Sequence, residues 1–213
     1  MTSTARKLLA ISPVIPVVVV ERAGDAVPLA KALLRGGVGI MEITLRTADA
    51  LTALAAVVDD VPEMVVGAGT VVTPDQVDAA RRAGARFLVS PGATAALTQA
   101  ALDSEVPFLP GAGTVSEMLA LAERGLDTLK FFPAEPSGGR GYLSAVAGPL
   151  PRLAFCPTGG VSADNAAAWL ALPNVGCVGG SWLTPRDAVA GHDWARIEAL
   201  ARAAADLKPT NTP

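Results

Sequence analysis

The feature that most restricts the fold of this 213-residue chain is a regular alternation of short apolar segments with segments of helical period. The apolar segments have the length and composition of buried β-strands and cover residues 14–20, 40–45, 65–69, 86–90, 107–110, 128–132, 154–158 and 176–180. Helical patterns follow nearly every one, at residues 26–35, 48–58, 74–83, 94–104, 116–124, 141–147, 163–172 and 194–205. Strands that alternate with helices favour a parallel sheet. Eight such units predict a closed (β/α)₈ TIM barrel rather than an open doubly wound sheet.

An internal repeat supports the barrel. The sequence GAGTV at residues 67–71 recurs unchanged at residues 111–115. Each copy is followed by a helical pattern, a glycine, an apolar strand and a proline, which is a repeat of two strand–helix units. Because no linker composition interrupts the alternation, residues 1–213 are expected to form a single domain.

Several residues mark where the helices begin and end. Thr73 and Thr114 stand where a hydroxyl can cap a helix, and each is followed three residues later by Gln or Glu. Gly36, Gly84 and Gly125 follow helical segments and suit the left-handed conformation that often ends a helix.

Composition narrows the class of protein and its partners. The chain is 51% hydrophobic and 17% charged, which is typical of a globular protein. A net charge of −3, the lack of a long basic run and an aromatic content of 4% argue against nucleic acid as a partner. The two cysteines have no CxxC spacing and His192 is the only histidine, so no metal site is expected.

One segment resembles a secretion signal. Arg6 and Lys7 precede an apolar run at residues 8–20, but Pro13 and Pro16 interrupt it and no suitable cleavage site follows. No other run approaches the length of a membrane span. We therefore expect a cytoplasmic protein with no membrane partner, in which the cysteines are free thiols.

Lys130 is the strongest candidate for chemistry. It is one of four lysines and lies in the predicted strand at residues 128–132, among mostly apolar residues. Burying an ammonium group is costly, so such surroundings favour a neutral amine, which is a nucleophile toward carbonyl groups. The alternative is an edge-strand lysine whose amine reaches solvent.

The alternation of side chains along a strand predicts which residues share the barrel interior. Ile40, Glu42, Thr44 and Arg46 lie on one side of the second predicted strand, and barrel sites are built from inward residues near strand ends. If Lys130 also points inward, it shares this lumen. Arg46 would then favour the neutral amine and Glu42 the charged one, and the sequence leaves that balance open. A purely structural Glu–Arg pair is the alternative.

Glycine pairs follow the last two predicted strands. Gly159 and Gly160 end the seventh, and Gly179 and Gly180 precede Ser181 at the end of the eighth. Exposed backbone amides in these two loops form the common phosphate site of barrels. Glycine pairs are also frequent in ordinary turns, so one pair alone does not indicate a phosphate site. Two pairs at the ends of consecutive strands indicate it more specifically.

Six segments together carry a family resemblance: VGIMEITLRT at residues 38–47, VVGAGTV at 65–71, SPG at 90–92, LKFFPAE at 129–135, FCPTGGV at 155–161 and GGSWL at 179–183. With them the chain resembles the class I aldolases that cleave 2-dehydro-3-deoxy-6-phosphogluconate (KDPG) and 4-hydroxy-2-oxoglutarate (KHG). The resemblance runs from about residue 13 to residue 205. It implies a (β/α)₈ barrel, a homotrimer and a small-molecule 2-keto acid sugar phosphate as substrate, with no cofactor beyond a covalent Schiff base.

The resemblance also implies roles for residues that match the motifs. Lys130 matches the Schiff-base lysine and Glu42 the general acid and base. Arg46 and Thr70 match the groups that hold the pyruvyl carboxylate. Pro91 and Phe132 match the walls of the substrate pocket.

The remaining predicted substrate-binding residues concern the far end of the substrate. Gly159, Gly160 and Ser181 match the phosphate site, and Gly180 belongs to the same second glycine pair. Thr158 matches a position where galactonate-type relatives differ, and its hydroxyl favours the gluconate-type substrate.

Three other functions stay open at this point. The chain could be a galactonate-type or unphosphorylated 2-keto acid aldolase. It could be a synthase or isomerase in which Lys130 only pairs with substrate charge. It could also be a non-catalytic barrel that binds a sugar phosphate.

Overall fold

The structure, a computed structural model, describes residues 4–207, with side chains from residue 5. Its strands are β1 Val14–Val18, β2 Ile40–Thr44, β3 Val65–Gly69, β4 Leu88–Val89, β5 Phe108–Leu109, β6 Gly111–Ala112, β7 Thr128–Phe131, β8 Ala154–Pro157 and β9 Val178–Gly180. The helices are α1 Thr4–Leu8, α2 Ala26–Arg35, α3 Ala50–Asp60, α4 Pro74–Arg82, α5 Ala95–Asp103, α6 Val115–Glu123, α7 Gly139–Val146, α8 Ala166–Leu170, α9 Arg186–Ala190 and α10 Trp194–Ala205.

The strands close into a parallel barrel. One sheet has the order β5-β4-β3-β2-β1-β9 and the other β6-β7-β8, and isolated bridges from Phe155 to Val175 and from Thr158 to Gly179 join β8 to the last strand. Segments β5 and β6 flank Pro110 and act as one barrel strand, because β5 pairs with β4 and β6 pairs with β7. The barrel therefore has eight strands around its circumference, and the predicted TIM-barrel fold is confirmed.

Several strands and helices begin or end at other residues than the sequence predicts. The fourth strand shrinks from residues 86–90 to Leu88–Val89, and the eighth helix is Ala166–Leu170 rather than residues 163–172. The fifth strand continues beyond residue 110 to Ala112, although Pro110 has no N–H to donate at the break. Helices α1 and α9 were not predicted, since both are only five residues long.

Side chains alternate between two apolar layers as the sequence predicts. Met41 and Ile43 of β2 pack in the layer between the strands and the helices. Ile40 belongs to the smaller layer inside the barrel, which also contains Ile15 and Phe87. The alternation determines which polar side chains of β2 enter the barrel interior.

The N-terminal segment closes the end of the barrel where the strands begin. Leu8 and Leu9 join the inner apolar layer, and a β-carbon at Gly176 would lie 2.8 Å from Leu9 Cδ1. Within the run at residues 8–20, which resembles a secretion signal, Leu8 and Leu9 thus belong to the core, and β1 is buried throughout. Among the described helices, none is long and apolar enough to cross a membrane.

The predicted helix starts are confirmed. Thr73 Oγ1 accepts a hydrogen bond from the backbone N–H of Gln76 at 3.3 Å. Thr114 Oγ1 accepts from Glu117 N–H, and the Glu117 carboxylate accepts in return from the backbone N–H of Thr114 at 2.9 Å. This reciprocal capping box satisfies backbone donors that the first turn of a helix leaves free.

One of the three predicted helix stops is wrong. Gly84 and Gly125 have φ of 85° and 81°, in the left-handed region as predicted. Gly36 has φ of −79°, and the left-handed residue is Gly37, with φ of 87°. Gly36 is required for a different reason: a β-carbon there would overlap Ala201 of α10, so the glycine allows α2 and α10 to pack closely.

Candidate active site

A lysine and a carboxylate meet in the centre of the barrel. Lys130 on β7 and Glu42 on β2 both point inward, and Lys130 Nζ lies 3.5 Å from Glu42 Oε1. Their side chains are only 5% and 4% exposed. The alternative of an edge-strand lysine reaching solvent is therefore wrong. The Phe132 ring forms an aromatic face 5.2 Å from the amine, measured to its centroid.

A glycine makes space for the carboxylate. A β-carbon at Gly69 would lie 2.8 Å from Glu42 Oε1 and 2.9 Å from Glu42 Cδ, so any larger residue would displace the carboxyl group. Glu42 Oε1 is buried and accepts no hydrogen bond from the described residues. Because no donor occupies this oxygen, it can accept a proton or a hydrogen bond from a bound molecule.

Arg46 lies near the ends of the strands, above the pair. Its Nε donates to Thr70 Oγ1 at 3.1 Å, and Thr70 has the left-handed φ of 59°. The structural Glu–Arg pair considered as an alternative does not form, because Glu42 approaches Lys130 instead. Thr44, on the same strand, is buried and donates to the carbonyl of Val18 at 2.9 Å, so its hydroxyl holds two strands together.

A cavity of about 440 Å³ opens at the carboxyl ends of the strands. Seven of the predicted site residues line it: Arg46, Phe132, Thr158, Gly159, Gly160, Gly180 and Ser181. Lys130 and Glu42 do not line it themselves, but Phe132 connects the cavity wall to the amine. The predicted residues from the second, seventh, eighth and ninth strand segments are thus brought together.

Pro91 and Thr70 are the two predicted substrate-binding residues that do not line this cavity. The Pro91 backbone packs elsewhere in the barrel. Its carbonyl packs against Gly111, where a β-carbon would overlap it. Gly111 is the register partner of Lys130 in the neighbouring strand. Pro91 follows β4, so the strand formed by β5 and β6 lies between it and Lys130 on β7. Its role in substrate binding stays a prediction.

The loop after β8 is held in a conformation that suits glycine. Gly159 and Gly160 have φ of 99° and 83°, where other residues are strained. The carbonyls of Thr158 and Gly159 accept hydrogen bonds from the backbone N–H groups of Ala134 and Glu135 at 2.8 and 3.0 Å. The first glycine loop is thereby fastened to the segment that follows Lys130.

Glu135 strengthens this connection through its side chain. Its carboxylate accepts from Trp169 Nε1 at 3.1 Å and from Asn165 Nδ2 at 3.4 Å. Asn165 Nδ2 also donates to the carbonyl of Gly160 at 3.0 Å. Glu135 lies in the LKFFPAE motif, but its function leaves no local signal, because its partners Asn165 and Trp169 lie 30 and 34 residues later.

Other groups near the site were also missed or left without a function. Thr184 and Arg186 follow β9 and line the cavity, and only the closure of the barrel reveals this.

Cys156 and Cys177 are buried free thiols inside the barrel, as predicted. Burial, and then the neighbouring Cys156, raises the pKa of the Cys177 thiol well above its ordinary value. Within residues 4–207, no cluster of three or more His, Cys, Asp or Glu side chains could hold a metal ion.

Comparisons with known proteins identify relatives that match nearly the whole chain. The KHG/KDPG aldolase of Escherichia coli K12 is 48% identical over 204 residues, which cover 96% of this chain and 96% of that protein. A KDPG aldolase structure from Legionella pneumophila, with pyruvate captured as a covalent carbinolamine intermediate, has a TM-score of 0.94 at 44% identity. That match covers 96% of this chain and 99% of the other.

A second structure carries a phosphorylated ligand. The 2-keto-3-deoxy-6-phosphogluconate aldolase of Zymomonas mobilis ZM4 with 3-phosphoglycerate has a TM-score of 0.92 at 41% identity, and the match covers 97% of each chain. The model of the KDPG and KHG aldolase family matches residues 6–200 of this chain. The predicted resemblance is confirmed, and the chain belongs to the KDPG and KHG aldolase family of carbon–carbon lyases.

Proposed function

We propose that this protein is a class I aldolase that cleaves KDPG to pyruvate and glyceraldehyde 3-phosphate through a Schiff base on Lys130. It also cleaves KHG to pyruvate and glyoxylate. The observation that carries the proposal is the 3.5 Å approach of Lys130 Nζ to Glu42 Oε1, with both groups buried beside a cavity that carries an arginine and two glycine loops.

The first step joins the substrate to the enzyme. The Lys130 amine attacks the C2 ketone, and loss of water from the resulting carbinolamine gives an iminium. The amine must be neutral to attack, and Glu42 is the acceptor within reach of its proton. A carbinolamine with pyruvate has been captured in the Legionella relative, which is the intermediate this step requires.

The second step breaks the carbon–carbon bond. Glu42 accepts the proton of the C4 hydroxyl, the C3–C4 electron pair moves toward the iminium nitrogen, and glyceraldehyde 3-phosphate leaves. Glu42 then returns a proton to C3 of the enamine, and hydrolysis of the iminium releases pyruvate and restores the Lys130 amine. The free Glu42 Oε1 suits this shuttle, because no described residue already donates a hydrogen bond to it.

Arg46 and Thr70 hold the carboxylate of the substrate. Arg46 Nε is already bonded to Thr70, which fixes the plane of the guanidinium and leaves its two Nη groups to donate to a carboxylate. A carboxylate held in this way aligns the ketone with the Lys130 amine, and this alignment lowers the activation barrier for attack.

The glycine loops hold the phosphate. Gly159, Gly160, Gly180 and Ser181 line the same cavity, so a phosphate bound there would lie in one space with the reacting end of the substrate. Binding of this remote group contributes to orientation at the reacting carbon. The Zymomonas relative with 3-phosphoglycerate is a precedent for a phosphorylated ligand in the family.

Thr158 supports a preference for the gluconate-type substrate. The residue lines the cavity although it is largely buried, and its hydroxyl donates to the carbonyl of Cys156 at 3.4 Å. The contact is long, so the hydroxyl is available to a substrate hydroxyl. Comparing kcat/KM for KDPG with its galactonate-type isomer tests this preference, and equal values would contradict it.

Pyruvate formation from KDPG tests the proposal as a whole. We expect wild-type protein and a Lys31→Ala control, changed at an exposed lysine of α2, to release pyruvate, and Lys130→Ala to release none. Binding of KDPG without pyruvate release by the wild-type protein would instead support the non-catalytic barrel.

The homotrimer implied by the family resemblance and the cytoplasmic location expected from the sequence remain predictions. The subunit mass is 21.5 kDa, so light scattering of a trimer should give about three times that value. A monomeric or dimeric mass would contradict the trimer.

A further inference from the structure

We infer that Arg186, in the loop after β9, binds the phosphate of the substrate and determines the preference for phosphorylated 2-keto acids. The inference rests on the proposed function and adds a residue that none of the family motifs contains. Arg186 begins α9 and lines the cavity together with Ser181 and Gly160.

The charges that line the cavity fit a substrate that is anionic at both ends. Arg46 and Arg186 are its two charged lining residues, and none of its lining residues is acidic. Arg46 follows β2 and Arg186 follows β9, and β1 lies between these strands in the barrel. Arg46 serves the carboxylate end, so Arg186 is the cation available to the phosphate end.

Arg186 is not neutralised by neighbouring acids. Among residues 4–207 its side chain has no hydrogen-bond or ion-pair partner. The adjacent Asp187 is engaged by Arg196, whose Nη1 donates to it at 2.6 Å, and this bond lowers the pKa of the Asp187 carboxyl. The Glu135 carboxylate does not line the cavity, and it accepts a hydrogen bond from Trp169 Nε1 at 3.1 Å. The guanidinium of Arg186 therefore retains its donors for a bound anion.

The backbone fixes the position of Arg186 relative to Ser181. The N–H of Thr184 donates to the carbonyl of Ser181 at 3.1 Å, and Leu183 between them is fully buried. The N–H of Val189 donates to the carbonyl of Pro185 at 3.0 Å, which closes the first turn of α9. The arginine thus projects from an ordered turn next to the predicted phosphate loop.

The test compares Arg186→Ala with a matched control, Arg202→Ala. Arg202 is an exposed arginine on α10 whose Nη2 donates to Glu198 at 2.7 Å, away from the cavity. For Arg186→Ala we expect kcat/KM for KDPG to fall by about tenfold to a hundredfold, mainly through KM, as for a lost charge-assisted hydrogen bond. We expect kcat/KM for KHG, which has no phosphate, to stay within about twofold, and the control to change neither. Arg186→Lys should give an intermediate loss for KDPG, since lysine keeps the charge without the paired donors.

Two further measurements separate this inference from the proposed function. Inorganic phosphate should inhibit KHG cleavage by the wild-type protein and inhibit it several-fold more weakly in Arg186→Ala. Borohydride trapping of pyruvate should be unchanged in this variant. Equal losses for KDPG and KHG, or an unchanged kcat/KM for KDPG, would overturn the role of Arg186 while leaving the aldolase intact. A wild-type protein that cleaves neither compound would overturn the proposed function as well.

Discussion

The Glu42 carboxyl group on β2 lies against Gly69 on β3, two residues beyond Gly67, the register partner of Glu42. The absence of a side chain at position 69 leaves the space that this carboxyl group occupies. A β-carbon there would lie within 2.9 Å of both Oε1 and Cδ of Glu42. The carboxylate in turn lies 3.5 Å from Lys130 Nζ. A glycine that contacts no substrate in the proposed mechanism thus fixes the distance between the two reacting groups.

Gly69→Ala should therefore lower kcat/KM for KDPG by at least about tenfold, because small displacements of a catalytic group have large effects on rate. We expect the melting temperature of Gly69→Ala to stay close to that of the wild-type protein. Gly148→Ala is the matched control, since a β-carbon at that position would meet no atom within 4 Å. Wild-type activity in Gly69→Ala would show that the carboxylate position is not critical.

Glu42→Gln removes the proton acceptor and keeps the shape of the side chain. We expect turnover of KDPG to fall by about a hundredfold to ten-thousandfold, the usual contribution of a general acid or base. Schiff-base formation with pyruvate should still occur because Lys130 is intact, but more slowly, because Glu42 no longer accepts the amine proton. Normal turnover in steady-state assays of this variant would place the proton shuttle on another residue.

Treatment with EDTA tests whether the reaction depends on a metal ion. The iminium supplies the electron sink that a Lewis acid supplies in metal-dependent aldolases. We expect dialysis against EDTA to leave the rate of KDPG cleavage unchanged. Strong inhibition that added divalent cation reverses would favour a metal-dependent route.

The capping box of α6 makes a prediction about stability and pH. The backbone N–H of Gly113 is the main cause of the lowered pKa of the Glu117 carboxyl, which lies below the ordinary value of 4.5. Because the folded-state pKa is the lower one, the stabilisation is present above about pH 4.5 and is lost as the pH falls through the folded-state value. Glu117→Gln should unfold at lower urea concentration than wild type at pH 7, with a smaller difference at acidic pH. A difference that is independent of pH would contradict this account.

Much of the barrel and its central pair could be predicted because strand alternation is a local property. The two-residue period of β2 places Ile40 and Glu42 inside the barrel and Met41 outside it, and the same rule directs Lys130 inward. Once the strands are parallel and the barrel is closed, neither placement depends on a distant part of the chain.

The features that escaped prediction depend on distant contacts. Gly36 looks like a helix stop, yet its backbone is ordinary and its small size is required by Ala201, far along the chain in α10. Arg186 follows the final strand with no motif of its own, and it reaches the cavity only because β9 pairs with β1. Such relationships are set by the closure of the barrel and leave little local signal.

Borohydride reduction in the presence of pyruvate, followed by peptide mass spectrometry, tests the central claim most directly. We expect one stable pyruvyl adduct in the wild-type protein, located on the peptide that contains Lys130. We also expect no adduct in Lys130→Ala and a normal yield in the Lys31→Ala control. An adduct on a different lysine, or undiminished trapping in Lys130→Ala, would contradict it.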